Sequence, residues 1–246
     1  MDTNAPGQRD KAIITGIYLS KFNAQALREF GFSSYRQAYN ILGYALHTKP
    51  SSIKLYRDEF DSIFPNGRHG WNREPREYCR DILAKVGNMT FHELSDMIRA
   101  FTAKTPEAVI PHSETSRKAF SADRLITGES AEEYFRMIYG TIEPFRGYTI
   151  HDTTRLGCGF DFKLTHGHDF YCIEVKGLNS MNGSIMVTAR EYDTAMETGE
   201  KYCLFVVRNF REKPEHVMFF NPLRNSNLSF RKQKREITEI TYTSNI

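Results

Sequence analysis

The chain has 246 residues, 33 Lys and Arg against 30 Asp and Glu for a net charge of +3, with 40% hydrophobic and 26% charged residues. These are the proportions of a soluble globular protein of one large or two ordinary domains, and no apolar run approaches the roughly 18 residues of a membrane span. So small a net charge means that any nucleic-acid binding must rest on local patches.

The first residues, Met-Asp-Thr-Asn-Ala-Pro-Gly-Gln, lack the charged and apolar regions of a signal peptide. None of the four cysteines, Cys79, Cys158, Cys172 and Cys203, lies in a Cys-x-x-Cys pair. Reduced thiols in a bacterial or archaeal cytoplasm are expected, with no zinc site. No glycine-rich phosphate loop is present, so no nucleotide cofactor is expected.

From Ile13 to Phe101 the pattern is helical. Asn23–Phe30 and Ser34–Leu46 carry apolar residues at helical spacing, and His47-Thr48-Lys49-Pro50 breaks the second run. Ser51 or Ser52 then caps a third helix through Phe60, with Ile53, Tyr56 and Phe60 on its buried side. Helix, four-residue turn and short helix follow the helix-turn-helix plan, in which the second helix enters the major groove. Ser51, Ser52, Lys54 and Arg57 are the expected DNA contacts on it. An ordinary helical hairpin would have the same spacing. A turn-rich stretch, Phe64 to Arg73, holds the one tryptophan, Trp71, as a packing anchor, with Arg68, His69 and Arg73 as further candidate contacts. Helices are expected again over 74–86 and 90–101. Residues 1–101 thus read as a helical recognition domain, 102–125 as a linker with Pro106 and Pro111, and 126–246 as a second domain with a polar tail. That tail includes the basic run Arg231-Lys232-Gln233-Lys234-Arg235.

Residues 130–139 read as a helix, followed by two alternating strands. In 159–164, Phe160, Phe162 and Leu164 point one way and Asp161 the other; in 170–176, Tyr171, Ile173 and Val175 oppose Cys172, Glu174 and Lys176. A hairpin turn at His166-Gly167 would set Thr165 opposite His168, Asp161 opposite Cys172 and Gly159 opposite Glu174. Asp161 and Glu174 are then diagonal neighbours on one face, and a register shift of two keeps them there. Two adjacent carboxylates repel unless a cation or proton joins them. Their hard oxygens suit Mg²⁺, which takes one or two carboxylates and keeps several waters. Lys176 points at the same place and can offset charge developing on a phosphate. A solvated polar sheet face would carry the same residue types. Thr188-x-x-Glu191 reads as a capping box that starts a helix over 189–198, which by itself accounts for Glu191; a supporting role near the metal is the other reading. The eight histidines are given no catalytic role.

Gly159-Phe160-Asp161, Ile173-Glu174-Val175-Lys176-Gly177, Val187-Thr188-Ala189-Arg190-Glu191 and Tyr202-Cys203-Leu204-Phe205-Val206-Val207-Arg208-Asn209 resemble the PD-(D/E)xK nuclease superfamily. More narrowly, they resemble the restriction-endonuclease-like domain at the C-termini of restriction-system proteins and of the plant protein NO VEIN. The likeness spans about residues 126–222, with Phe160 in the place of the nominal proline. It implies an α/β core with a mixed sheet and Mg²⁺-dependent cleavage of DNA, with Mn²⁺ able to substitute. Asp161 and Glu174 would be metal ligands and Lys176 the catalytic lysine. A glutamate on the preceding helix is also implied, and Glu132, which follows a small residue, is preferred to Glu133. An exposed first-turn acid is the other reading of Glu132. The block from Tyr56 to Trp71 resembles N-terminal modules of restriction-associated proteins.

The expected protein is therefore a type II restriction endonuclease acting on double-stranded DNA as a homodimer, since two sites are needed to cut both strands. A non-enzymatic DNA-binding regulator on a nuclease-like scaffold and a nicking or repair nuclease are the alternatives.

Overall fold

A computed structural model describes residues 6–71, 73–102 and 115–233, with side chains from 126 onward in the last segment. Seven helices, mostly N-terminal, precede and flank a five-stranded mixed sheet, as the α/β expectation requires. Among the described residues no helix is long and apolar enough to cross a membrane.

Helix α1 (Gln8–Glu29) is the axis of the helical part; Ile13, Ile17, Tyr18 and Leu19 on it are all fully buried. A helix apolar on so many sides needs partners all round, and α3 (Pro50–Phe60), α4 (Glu77–Val86) and α5 (Phe91–Thr102) supply them. At Gly16 a Cβ would lie 2.5 Å from the Cβ of Tyr56, so glycine sets how closely α1 and α3 approach. The helix kinks at Asn23, whose φ is 46°. Helix α2 (Tyr35–Ala45) is capped by Ser34, whose hydroxyl accepts the Gln37 N–H at 3.1 Å. Helix α3 starts two or three residues earlier than expected. Pro50 is its first residue and Lys49 its N-cap, so neither Ser51 nor Ser52 caps it. Proline suits that position because its missing N–H would have no partner there anyway.

The sheet order is β1 (Thr149–Asp152), β2 (Phe162–His166), β3 (Asp169–Gly177), β4 (Tyr202–Arg208) and β5 (Glu215–Phe220), all antiparallel neighbours except the parallel pair β3 and β4. Helix α7 (Ala189–Thr198) makes the connection that a parallel pair needs. Helix α6 (Thr115–Ile138) lies on one face, where Phe135 meets Phe162 at 5.3 Å and Phe205 at 4.8 Å between ring centroids. On the other face Ala195 of α7 packs with Cys172 and Tyr202.

Two details of the hairpin differ from expectation. Its closing pair is His166 with Asp169, leaving Gly167 and His168 as the loop. Asp169 is drawn into the ladder by the Tyr148 hydroxyl at 2.6 Å and by Lys201 at 2.5 Å. The slip is even, so every side chain keeps its face. With Phe162 opposite Ile173, Asp161 comes level with Glu174 instead of Cys172. Phe160, expected beside Phe162, packs instead with Cys172 and Tyr202. The backbone turns at Gly159, φ 88°, so the alternation of β2 does not reach back to Phe160.

The helical part and the sheet part meet across a shared core. One continuous core holds Ile13, Ile41 and Leu94 together with Phe135, Phe162 and Phe210. Tyr44 of α2 packs edge-on against Tyr134 and Phe210. The Asn40 amide donates to the carbonyls of Phe210 at 2.8 Å and Glu212 at 2.9 Å, and the Ser130 hydroxyl donates to the Ile41 carbonyl at 2.8 Å. Of the expected linker, residues 103–114 fall outside the described residues, and 115–125 form the first turns of α6. The basic run is described only to Gln233, and its described residues are exposed.

Candidate active site

The site is built where β2 begins, β3 passes its midpoint and α7 starts. Asp161 stands just ahead of β2, with its N–H still bonded to the Ile173 carbonyl at 2.9 Å. Its Oδ2 accepts the Val175 N–H at 2.8 Å, so a carboxylate replaces backbone at the end of the ladder. Glu174, in β3, is only 3% exposed. The Lys176 ammonium donates to Glu174 Oε1 at 2.5 Å and to Glu191 Oε2 at 2.8 Å. The same Glu191 oxygen accepts the Thr188 N–H at 3.0 Å while Thr188 Oγ1 accepts the Glu191 N–H at 3.2 Å. The capping box read from sequence is therefore present, and its glutamate also holds the lysine.

The loop ahead of Asp161 is pressed onto α7. A Cβ at Gly159 would lie 2.3 Å from Thr194 Oγ1 and 3.0 Å from the Arg190 carbonyl, and its φ of 88° excludes most side chains as well. The Tyr202 hydroxyl donates to the Gly159 carbonyl at 2.9 Å and fixes the loop from below. Asp161, Glu174 and Glu191 then line a cleft with Thr154, Thr188 and Arg190.

Burial dominates the electrostatics. It pushes the Asp161 carboxyl up to about 7, helped by the charge of Glu132 and opposed by the Val175 N–H and Lys176. Burial, and then Asp161 itself, push Glu174 up to about 9 against the pull of Lys176. Each carboxyl is thus held above the usual carboxylate range by burial and by the charge of neighbouring acids. Burial alone would lower the Lys176 pKa, but Glu174 and Glu191 outweigh it and the net shift is upward, so the ammonium stays charged.

The charge of Glu132 reaches Asp161 from α6. Glu133, the alternative, faces elsewhere. It is buried and bonded to His47 Nδ1 at 2.7 Å and Arg136 Nε at 3.2 Å, in the turn between α2 and α3. Among the described residues no three His, Cys, Asp or Glu side chains form a metal-holding group. Asp161 and Glu174 are the two carboxyls here that could hold an ion. Two carboxylates with open space beside them fit Mg²⁺, which completes its shell with water and phosphate oxygens.

Among the N-terminal candidates the structure brings Lys54 and Arg68 to one carboxylate, Asp58. Ser51 is exposed and Ser52 half-buried on α3. Lys54 is exposed and paired with Asp58 at 2.5 Å. Arg68 is held by Asp58 and Asp61, each at 2.8 Å, while Arg73 stacks over Trp71 at 4.2 Å. Arg57 must be removed from the contact set. It is fully buried, its guanidinium lies 3.3 Å from the Tyr35 ring centroid, and it donates to the Tyr39 hydroxyl at 2.9 Å. Nothing local distinguishes it from Lys54, three residues earlier; the aromatic pair of α2 decides its fate. Sequence reasoning also missed Thr154 and Arg190, though Arg190 adjoins Glu191 in the first turn of α7.

Residues 131–220 match the family model "Protein NO VEIN, C-terminal". The matched segment runs from α6 to the last residue of β5, so it contains Glu132, Asp161, Glu174, Lys176, Arg190 and Glu191. Residues 1–130 lie outside the NO VEIN match. No curated protein and no solved structure matches the chain.

Proposed function

We propose that the protein is a Mg²⁺-dependent DNA endonuclease of the type II restriction kind, which hydrolyses phosphodiester bonds at a specific sequence. The observation that carries this reading is the pair of half-buried Asp161, at the start of β2, and buried Glu174 on β3, brought level by the strand register, with the charged Lys176 held beside them. Further support comes from the NO VEIN C-terminal match over this segment, a family of restriction-endonuclease-like kind.

Asp161 and Glu174 would hold the ion, which when bound draws charge from a phosphoryl oxygen and makes water a better nucleophile. A cation held there would offset the burial and the repulsion from neighbouring acids that raise both carboxyls. Lys176 carries its proton throughout, so it serves as a fixed cation facing the charge that develops on the phosphate, not as a proton acceptor. Glu191 positions that ammonium, and the capping box positions Glu191. Glu132 adds negative charge at the rim of the pair. Ser51, Ser52, Lys54, Arg68 and Arg73 are the proposed contacts of the helical part with double-stranded DNA. Cutting both strands calls for a homodimer, working without a nucleotide cofactor in a bacterial or archaeal cytoplasm.

The test is plasmid DNA, methylated and unmethylated, incubated with the protein in Mg²⁺ or EDTA and resolved on a gel. Discrete fragments in Mg²⁺ alone, lost in Glu174→Ala, are expected. Tight DNA binding with no cleavage in any divalent metal would overturn the enzyme reading in favour of a regulator. Nicked circles as the only product would move it to a nicking or repair nuclease.

A further inference from the structure

We infer that Arg190 clamps a DNA phosphate next to the one being cut, an inference that rests on the nuclease reading of the same cleft. Arg190 is the second residue of α7, is exposed, and lines the cleft with Asp161, Glu174 and Glu191. Among the described residues it forms no ion pair. Lys176, by contrast, is engaged by Glu174 and Glu191.

The charge balance of the cleft gives this free cation its use. Three acidic side chains, Asp161, Glu174 and Glu191, line the cavity, and the Lys176 ammonium pairs with two of them. Such a wall repels a polyanion except where a bound cation or a free guanidinium offsets it. A divalent ion between Asp161 and Glu174 serves the scissile phosphate only. The neighbouring phosphate needs its own partner, and the planar guanidinium matches two phosphate oxygens at once.

The backbone under Arg190 is also held firmly while its side chain is not. The capping box fixes the start of α7, and Gly159 packs against the Arg190 carbonyl. The clamp is thus set at a constant distance from the carboxylate pair, with freedom only in the arginine's own torsions.

The experiment measures binding to a duplex of about 30 base pairs, with Ca²⁺ in place of Mg²⁺, across a range of salt. Arg190→Ala is expected to bind about tenfold more weakly at low salt, the loss of one charged hydrogen-bond partner. The slope of log K against log salt should fall by about 0.9, one phosphate's worth. Arg190→Lys should restore the slope but only part of the affinity, because it keeps the charge and loses the fork. Both variants should melt with the wild type. A neutral methylphosphonate placed in turn at each linkage around the wild-type cut should slow the wild type at one flanking position and leave Arg190→Ala unaffected there. An unchanged salt slope, or losses that add at every position, overturns the clamp. If the wild type binds DNA but never cuts it, the nuclease reading falls and the salt slope alone decides the clamp. If the wild type does not bind DNA, both fall.

Discussion

Lys176 on β3 and Glu191 on α7 meet at 2.8 Å, and the glutamate oxygen that accepts the lysine also closes the N-terminal cap of its own helix. One carboxylate thus joins the start of a helix to the reactive cation of the sheet. Glu191→Gln keeps an oxygen for the Thr188 N–H but removes the charge opposite Lys176. Its expected effect is a fall of about 10–100-fold in kcat, the range for groups that orient a site from behind, with little change in KM or melting temperature. Single-turnover cleavage checks this; a KM effect alone would make Glu191 a binding residue.

The raised pKa values of Asp161 and Glu174 make metal-free stability depend on pH. Unfolded carboxyls titrate near about 4, so between there and the folded values, about 7 and about 9, the native state holds protons that the unfolded state has released. Stability is greatest at the acid end of that window and is lost as pH rises through the folded values. In EDTA, melting temperature should fall from about pH 5 to about pH 8 more steeply for wild type than for Glu174→Gln. Added Mg²⁺ should flatten the wild-type curve. A flat curve in EDTA would mean that the two carboxyls titrate as ordinary surface groups do.

Arg57→Ala addresses the buried network of the helical part. Arg57 and Asp61 are both fully enclosed, with Arg57 Nε 3.8 Å from Asp61 Oδ1. Removing the guanidinium empties a stacked site over Tyr35 and strips Asp61 of one of its two arginines. A loss of about 3–5 kcal/mol is expected, as for other broken buried ion pairs. Urea denaturation followed by circular dichroism measures it. A loss below about 1 kcal/mol would place the pair among ordinary surface bridges.

The shared core predicts one unfolding transition. Trp71, the single tryptophan, reports from the helical part and far-ultraviolet dichroism from the whole chain. The two melting curves should coincide. Asn40→Ala, which deletes both hydrogen bonds to the segment after β4, should lower stability by about 1–3 kcal/mol and shift both curves together. Separate transitions would restore the picture of two independent domains.

Much of the site was legible before any coordinates. The faces of β3 follow from Tyr171, Ile173 and Val175 alternating with Cys172, Glu174 and Lys176, because a strand's period of two is a property of adjacent residues. The start of α7 was legible too, since Thr188 with Glu191 is a contact across three residues. The hairpin register was missed by one even slip, which cost nothing in facing because evenness preserves it. Phe160 was misplaced because one glycine at positive φ ended the alternation.

The sequence by itself determined the two faces of β3 and the capped start of α7, because those depend on neighbours a few positions away. Only the tertiary structure decided what each charge meets. It sent Arg57 into the stack of Tyr35 and Tyr39, brought the charge of Glu132 to bear on Asp161 and turned Glu133 to His47, joined α2 to Phe210, and left Arg190 open to the cleft. Burial and ion pairing are set by partners brought together from distant parts of the chain, and no local pattern encodes which partner arrives.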